Sequence, residues 1–227
     1  MAVQWVFLDA FGTLVLLDRV FERLQANLQA LGHPLPLADV ERAARKEFAY
    51  YVAHSRAGRE AESLQRLRLE CAAELLEGFR ERGHPLPVPA PEMATALIGA
   101  LEFRLYPDVT PTLAALSGRG KRLGVISNWD YTLPGILRRL GLGELLEVVA
   151  VSSLCDCDKP GAAIFLEALR LAGAPPESAL HVGDSYGKDV LGARGVGMNA
   201  GLLDRRGEST ATDVPVIHDL RELLALV

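Results

Sequence analysis

The sequence predicts an α/β fold: a parallel sheet with helices on both faces, interrupted by a small all-helical domain. Two patterns carry this prediction. Short apolar runs alternate with helical periodicity from residue 105 to residue 227, whereas residues 16–104 carry helical periodicity alone. Alternation of that kind signals βαβ units and a parallel sheet. A third observation places chemistry on the frame. Asp9 closes the apolar run Val3 to Leu8 and begins Asp9-Ala10-Phe11-Gly12-Thr13-Leu14. A fully apolar run of this length reads as a buried parallel strand. In open α/β sheets ligands bind just past the carboxyl ends of strands.

The elements follow in order. After Leu14, apolar residues Leu17, Val20, Phe21, Leu24, Leu28 and Leu31 recur at helical spacing, and Gly32 stops the run. Val40, Ala44, Phe48 and Tyr51 mark a second helix, and Leu64, Leu67, Cys71, Leu75 and Phe79 a third. Pro91 fits the first position of a fourth, which carries Met93, Leu97 and Leu101. The stretches His33–Pro36 and His84–Pro87 read as rigid connections. The expected division is therefore a core of residues 1–15 and 105–227, with residues 16–104 inserted as a helical domain.

The core resumes near Tyr106-Pro107-Asp108, where Thr110 is the expected N-cap of a helix with Pro111 at its first position. Strand-like runs then lead into chemistry-bearing residues three more times. Arg122–Ile126 leads to Ser127 and Asn128, Glu147–Val151 leads to Lys159, and Ala179–Val182 leads to Gly183-Asp184 with Asp189 close behind. Helices are expected over Leu133–Leu140 and Ala162–Ala172, a further strand within Val196–Leu203 and a terminal helix over His218–Val227.

Bulk properties narrow the function classes. At 227 residues and 49% hydrophobic, the chain is large enough for a sizeable core. A formal charge of −5 and the lack of a basic run argue against nucleic acid as a partner. No apolar stretch is long enough for a membrane span, and the N-terminus lacks a basic region with a cleavage site. The three cysteines, Cys71, Cys155 and Cys157, are too few and odd in number for a disulfide framework, so a reducing cytoplasm is expected. The expected partner is a small molecule, and the chain is expected as a monomer or a homodimer.

Taken together, these segments resemble the haloacid dehalogenase (HAD) superfamily of hydrolases. Asp9 to Leu14 looks like its first motif, Ser127 the second, Lys159 the third, and Gly183-Asp184 with Asp189 the fourth. Val125 to Met198 looks most like the subgroup of haloacid dehalogenase-like domain-containing protein three. The resemblance implies a Rossmann-like core whose helical insertion acts as a cap that selects the substrate. It also implies roles. Asp9 would attack the substrate and form a covalent aspartyl intermediate, Ser127 would hydrogen-bond a substrate oxygen, and Lys159 would neutralise charge. Asp9, Asp184 and the backbone carbonyl of Phe11 would hold Mg²⁺, and Asp189 would ligate it or orient its waters. Phe11, Thr13, Asn128 and Arg45 are the candidate substrate-binding residues.

Phe11 and the fourth motif point to different reactions. Family phosphatases usually carry an aspartate two residues after the nucleophile, as general acid and base. Phe11 cannot move a proton, and positioned acid–base catalysis is worth about 10²–10⁴ in rate. A halide leaves without a proton, and the dehalogenase form of this motif carries an aromatic residue. Family dehalogenases, however, replace the Gly-Asp pair with Ser-Asn-type residues and use no metal, whereas this chain keeps Gly183-Asp184 with Asp189, the metal-binding form. Arg45 is a candidate for holding a haloacid carboxylate, although Arg42, Arg45 and Lys46 also read as one solvated helix face. The leading expectation is a Mg²⁺-dependent phosphatase with an impaired or relocated acid. The alternatives are a metal-independent 2-haloacid dehalogenase and a non-catalytic metabolite-binding protein.

Other residues read as structural. Cys155 and Cys157 supply too few ligands for a soft metal. His181 is expected as a buried, hydrogen-bonded strand residue and Lys188 as a solvated one. Trp129 suits packing or substrate contact equally.

Overall fold

The computed structural model describes residues 3–227; Met1 and Ala2, part of the expected core segment, lie outside the described residues. The chain divides into two compact units, Met1–Leu16 with Leu105–Val227, and Leu17–Arg104. The strands are β1 (Trp5–Leu8), β2 (Val15–Leu17), β3 (Phe103–Leu105), β4 (Arg122–Ser127), β5 (Val148–Val151), β6 (Ala179–Gly183), β7 (Asn199–Leu203) and β8 (Val216–Ile217). The α-helices are α1 (Val20–Ala30), α2 (Leu37–His54), α3 (Ala61–Arg80), α4 (Ala90–Ala100), α5 (Val109–Gly118), α6 (Leu133–Arg139), α7 (Ser152–Cys155), α8 (Ala162–Ala172) and α9 (Leu191–Gly195).

Among the described residues, the first unit is built on a six-stranded sheet in the order β5-β4-β1-β6-β7-β8. Every pairing is parallel, and helices cover both faces. The chain moves outward from β1 through β4 to β5. It then returns to the other side of β1 and moves outward again through β6, β7 and β8. A parallel sheet offers a crevice beyond its carboxyl ends at such a reversal. Leu8 pairs with Val125 on one side and Val182 on the other, so the residues that follow β1, β4 and β6 emerge at one level.

Burial explains the placement of β1. All four of its residues are buried, as a strand covered on both faces requires. Trp5 and Phe7 point to the same face, where their rings stack at 5.3 Å. They join Ile126, Ile164, Phe165, Leu169 and Met198 in one apolar cluster. Val6 and Leu8 are wholly buried on the opposite face.

Local signals miss at the ends of elements. Helix α5 starts at Val109 with Asp108, not Thr110, before it, so Pro111 occupies its third position. The first four helical N–H groups lack intrahelical partners, so a proline there costs no hydrogen bond. Pro91 is likewise the second residue of α4, after Ala90. The expected terminal helix is a single tight 3₁₀ segment, Leu220–Ala225, opened by a capping box between Asp219 and Glu222.

The second unit contains α1 to α4, with α2 packed along α3. Gly78 allows that approach, because a Cβ there would lie 3.1 Å from the Ala43 Cα. The rings of Phe21 and Phe48 pack at a tilt, with centroids 6.0 Å apart. Strands β2 and β3 pair with each other where the chain passes between the units. No helix among the described residues is long and apolar enough to cross a membrane. All three cysteines are free.

Glu47, on α2, is 3% exposed, and its Oε2 has no hydrogen-bond partner. Desolvation pushes its pKa from 4.5 up to about 7, although a hydrogen bond with Cys71 opposes the shift. The folded state therefore prefers the protonated carboxyl. That preference is fully present below pH 4.5 and is lost as pH rises through about 7. Glu47→Gln should raise thermal stability above pH 7.5 by no more than about 3 kcal/mol, with the gain vanishing below pH 4.5. Melting curves across that range check it, and a gain independent of pH would contradict it.

Candidate functional site

The site lies at the carboxyl ends of β1, β4 and β6, entirely within the first unit. Asp9 follows β1, Ser127 ends β4, and Asp184 follows β6. Lys159 reaches the same point from the connection between β5 and α8. Its Nζ donates to Asp9 Oδ1 at 2.7 Å, Asp189 Oδ1 at 2.6 Å and the Ile126 carbonyl at 2.8 Å. An ammonium has three protons to donate, and all three find partners. Ser127 Oγ donates to Asp9 Oδ1 at 2.8 Å.

Burial alone pulls the Lys159 pKa down, but the charges of Asp9 and Asp189 outweigh it and leave the pKa raised. Asp189 shows the converse. Desolvation opposes its ionisation, yet Lys159 and His181 hold its carboxyl well below the usual range. The His181 Nε2 lies 2.9 Å from Asp189 Oδ1, while Nδ1 is buried without a partner. A neutral imidazole protonated at Nε2 satisfies that arrangement best, since only an acceptor is then left unpaired. The Ser185 backbone N–H donates to Asp189 Oδ2 at 3.0 Å, so both oxygens of this carboxylate are engaged.

Asp184 is the most open of the three acids. Desolvation, followed by the charges of Asp9 and Asp189, raises its pKa to about 6. One oxygen from each of Asp9, Asp184 and Asp189 falls within 4.8 Å of the others. Glycines make this crowding possible. Gly12 has a φ of 80°, and a Cβ on it would lie 2.1 Å from Asp184 Oδ2. A Cβ on Gly183 would lie 2.2 Å from Asp189 Cγ. One ammonium opposite three carboxylates leaves net negative charge on a cluster of hard oxygen donors. That donor set fits Mg²⁺. Asp9 and Asp184 are the freer ligands, because Asp189 already accepts three hydrogen bonds.

The structure thus brings together Asp9, Ser127, Lys159, Asp184 and Asp189. Two expected substrate contacts fall elsewhere. The Thr13 side chain is wholly buried and its Oγ1 has no partner, so it does not face a substrate. The Asn128 amide is committed to the Lys159 main chain, accepting from N at 2.7 Å and donating to O at 3.2 Å. It positions the lysine. Phe11 is 49% exposed and lies 6.3 Å from the Trp129 ring, which is buried. Arg45 belongs to the second unit, where it pairs with Glu41 at 2.6 Å and lies 5.4 Å over Phe21. His181 is buried and hydrogen-bonded, as its strand position suggests, but only the fold reveals that its partner is Asp189. Arg205 contacts the turn after Asp9 from 193 residues away, and no sequence pattern singles it out.

Comparison with known proteins fits this geometry. The family model described as haloacid dehalogenase-like hydrolase matches residues 3–197. Haloacid dehalogenase-like hydrolase domain-containing protein 3 of Danio rerio is 38% identical over 126 residues, 55% of this chain and 52% of that protein. A glyceraldehyde 3-phosphate phosphatase of Methanothermobacter thermautotrophicus is 36% identical over 135 residues, 53% of this chain and 58% of that protein. The chain thus spans about half the length of these curated relatives. Among solved structures, a 2-haloacid dehalogenase from Pseudomonas syringae has a TM-score of 0.67 at 27% identity, covering 99% of this chain and 97% of that one. A magnesium-bound HAD hydrolase from Bacillus subtilis has a TM-score of 0.75 at 16% identity, covering 100% and 99%, and shares the fold. With three strand ends converging on one lysine and its acids, and a family match across most of its length, the chain belongs to the haloacid dehalogenase-like hydrolases.

Proposed function

We propose that this hydrolase is a Mg²⁺-dependent phosphatase of small phosphorylated metabolites that works through a phosphoryl group carried on Asp9. The observation that carries the reading is the cluster of Asp9, Asp184 and Asp189 around Lys159. Three acids beside one cation suit a metal site, whereas a metal-free dehalogenase needs Asp9 as its nucleophile and leaves Asp184 without a role. Phosphatase-named relatives in two methanogens, at 36% and 34% identity, point the same way.

In this reading an Asp9 oxygen attacks phosphorus, the bond to the leaving oxygen breaks, and water later hydrolyses the acyl phosphate to free Asp9. Lys159 holds Asp9 in place, and Ser127, whose single proton goes to Asp9 Oδ1 in the free site, would turn it to a phosphoryl oxygen of the substrate. Mg²⁺, held by Asp9 and Asp184 with the Phe11 carbonyl, would supply charge neutralisation at the phosphoryl group. Asp189 locks Lys159 and would orient water on the bound metal. Phe11 stands where a general acid would act, so the enzyme favours leaving groups that depart without a proton, such as the phenolate of an aryl phosphate or the carboxylate of an acyl phosphate. Residues 17–104 form the substrate-selecting cap, and a reducing cytoplasm suits the free cysteines.

One observation favours a second reading. Phe11 and the likeness to a 2-haloacid dehalogenase at 27% identity fit carbon–halogen cleavage. There Asp9 displaces halide from carbon, and Arg45 would hold the substrate carboxylate by exchanging its partner Glu41.

The deciding assay is turnover of 4-nitrophenyl phosphate with and without Mg²⁺. Activity should require the metal, and Asp9→Asn should lower kcat by more than about 10³-fold. Metal-independent turnover would overturn the phosphatase reading. Halide release from 2-chloropropionate without added metal would establish the second. Phe11→Asp should speed alkyl phosphate hydrolysis by up to about 10²–10⁴. No gain in a folded Phe11→Asp variant would mean that more than the acid is missing.

A further inference from the structure

Arg205 lies in the connection after β7 and sends its side chain to the turn that follows Asp9. Its Nε donates to the Gly12 carbonyl at 3.2 Å and its Nη2 to the Thr13 carbonyl at 2.8 Å. The same guanidinium forks onto Asp108, with Nη1 to Oδ2 at 2.8 Å and Nη2 to Oδ1 at 3.1 Å. It stacks 3.9 Å over the Tyr106 ring. Asp108 Oδ2 also accepts from the Leu220 backbone N–H at 2.8 Å. The pair is mostly buried, with side chains 19% and 3% exposed. The base of the arginine is itself held, because the Asp204 N–H donates to the Ile217 carbonyl at 2.7 Å and Asp204 Oδ2 accepts from the Ser209 N–H at 2.8 Å.

We propose that Arg205 is a positioning residue for the reaction: by clamping the Gly12 and Thr13 carbonyls it sets the spacing between Asp9 and Asp184. The inference rests on reading that acid pair as the reacting centre. What separates it from an ordinary structural ion pair is the choice of acceptors. They are main-chain oxygens of the turn between the nucleophile and β2, and Gly12 is the residue packed directly against Asp184. Relaxation of this turn therefore changes the gap in which the acids meet. Lysine is a poor substitute, since a single ammonium cannot reproduce a planar fork that serves two carbonyls and a carboxylate together.

Arg205→Met and Arg205→Lys test the inference beside Arg194→Met. Arg194 pairs with Asp213 before β8 and does not touch the turn. For 4-nitrophenyl phosphate, Arg205→Met should lower kcat by about 10–100-fold while KM moves less than about threefold. Mg²⁺ binding measured by calorimetry should weaken by about tenfold. Arg205→Lys should recover part of the loss, and Arg194→Met should match wild type. Unchanged kcat and Mg²⁺ affinity in a folded Arg205→Met, or losses equal to those of Arg194→Met, would overturn the inference. Should Arg205→Met not fold, Arg205→Lys decides, and wild-type behaviour there overturns it. A wild type inert toward the ester would count against the proposed function. Calorimetry with Mg²⁺ alone would still judge Arg205, with weakened binding in its variants supporting the clamp and unchanged binding overturning it.

Discussion

The buried ammonium of Lys159, shared between Asp9 and Asp189, is the constraint on which the site depends. Each group would be costly to bury alone, and each is tolerable because the others are present. Removing one member of such a buried pair typically costs about 3–5 kcal/mol, because a charge is left without its partner. The arrangement therefore fixes geometry as well as charge. Lys159 bridges the ends of β1 and β4 through Asp9 and Ile126, and it reaches the segment after β6 through Asp189.

Around that ammonium, supporting contacts are layered by distance. Asn128 grips the lysine main chain from both sides. His181 and the Ser185 amide hold Asp189, and the two glycines let Asp184 and Asp189 approach closely. The result combines one well-shielded, fully bonded acid with one open acid whose pKa is raised by its surroundings. Asp189 is tuned for permanence, and Asp184 for exchange with a ligand.

Much of this was legible in the sequence, for physical reasons. Buried parallel strands are nearly pure apolar runs, so β1, β4, β5 and β6 announce themselves, and chemistry follows their carboxyl ends. The helices between residues 17 and 104 show through their periodicity. Ends of elements are less legible. Thr110 has a good capping side chain, but the start of α5 is fixed by the distant ties of Asp108 to Arg205 and Leu220. Thr13 is turned into the interior and Asn128 onto the Lys159 main chain for a related reason. Motif spacing places a residue near a site but does not say which way its side chain turns. Arg205 carries no local pattern, since its partners lie 97 and 193 residues away.

The pairing of β2 with β3 has a consequence for how this architecture diversifies. The departing and returning strands run side by side, so the chain leaves the first unit and re-enters it at adjacent points. Replacing the intervening helices need not disturb the register of any strand in the main sheet. The inserted segment can thus change in sequence and length while the strand order that gathers Asp9, Ser127 and Asp184 stays the same.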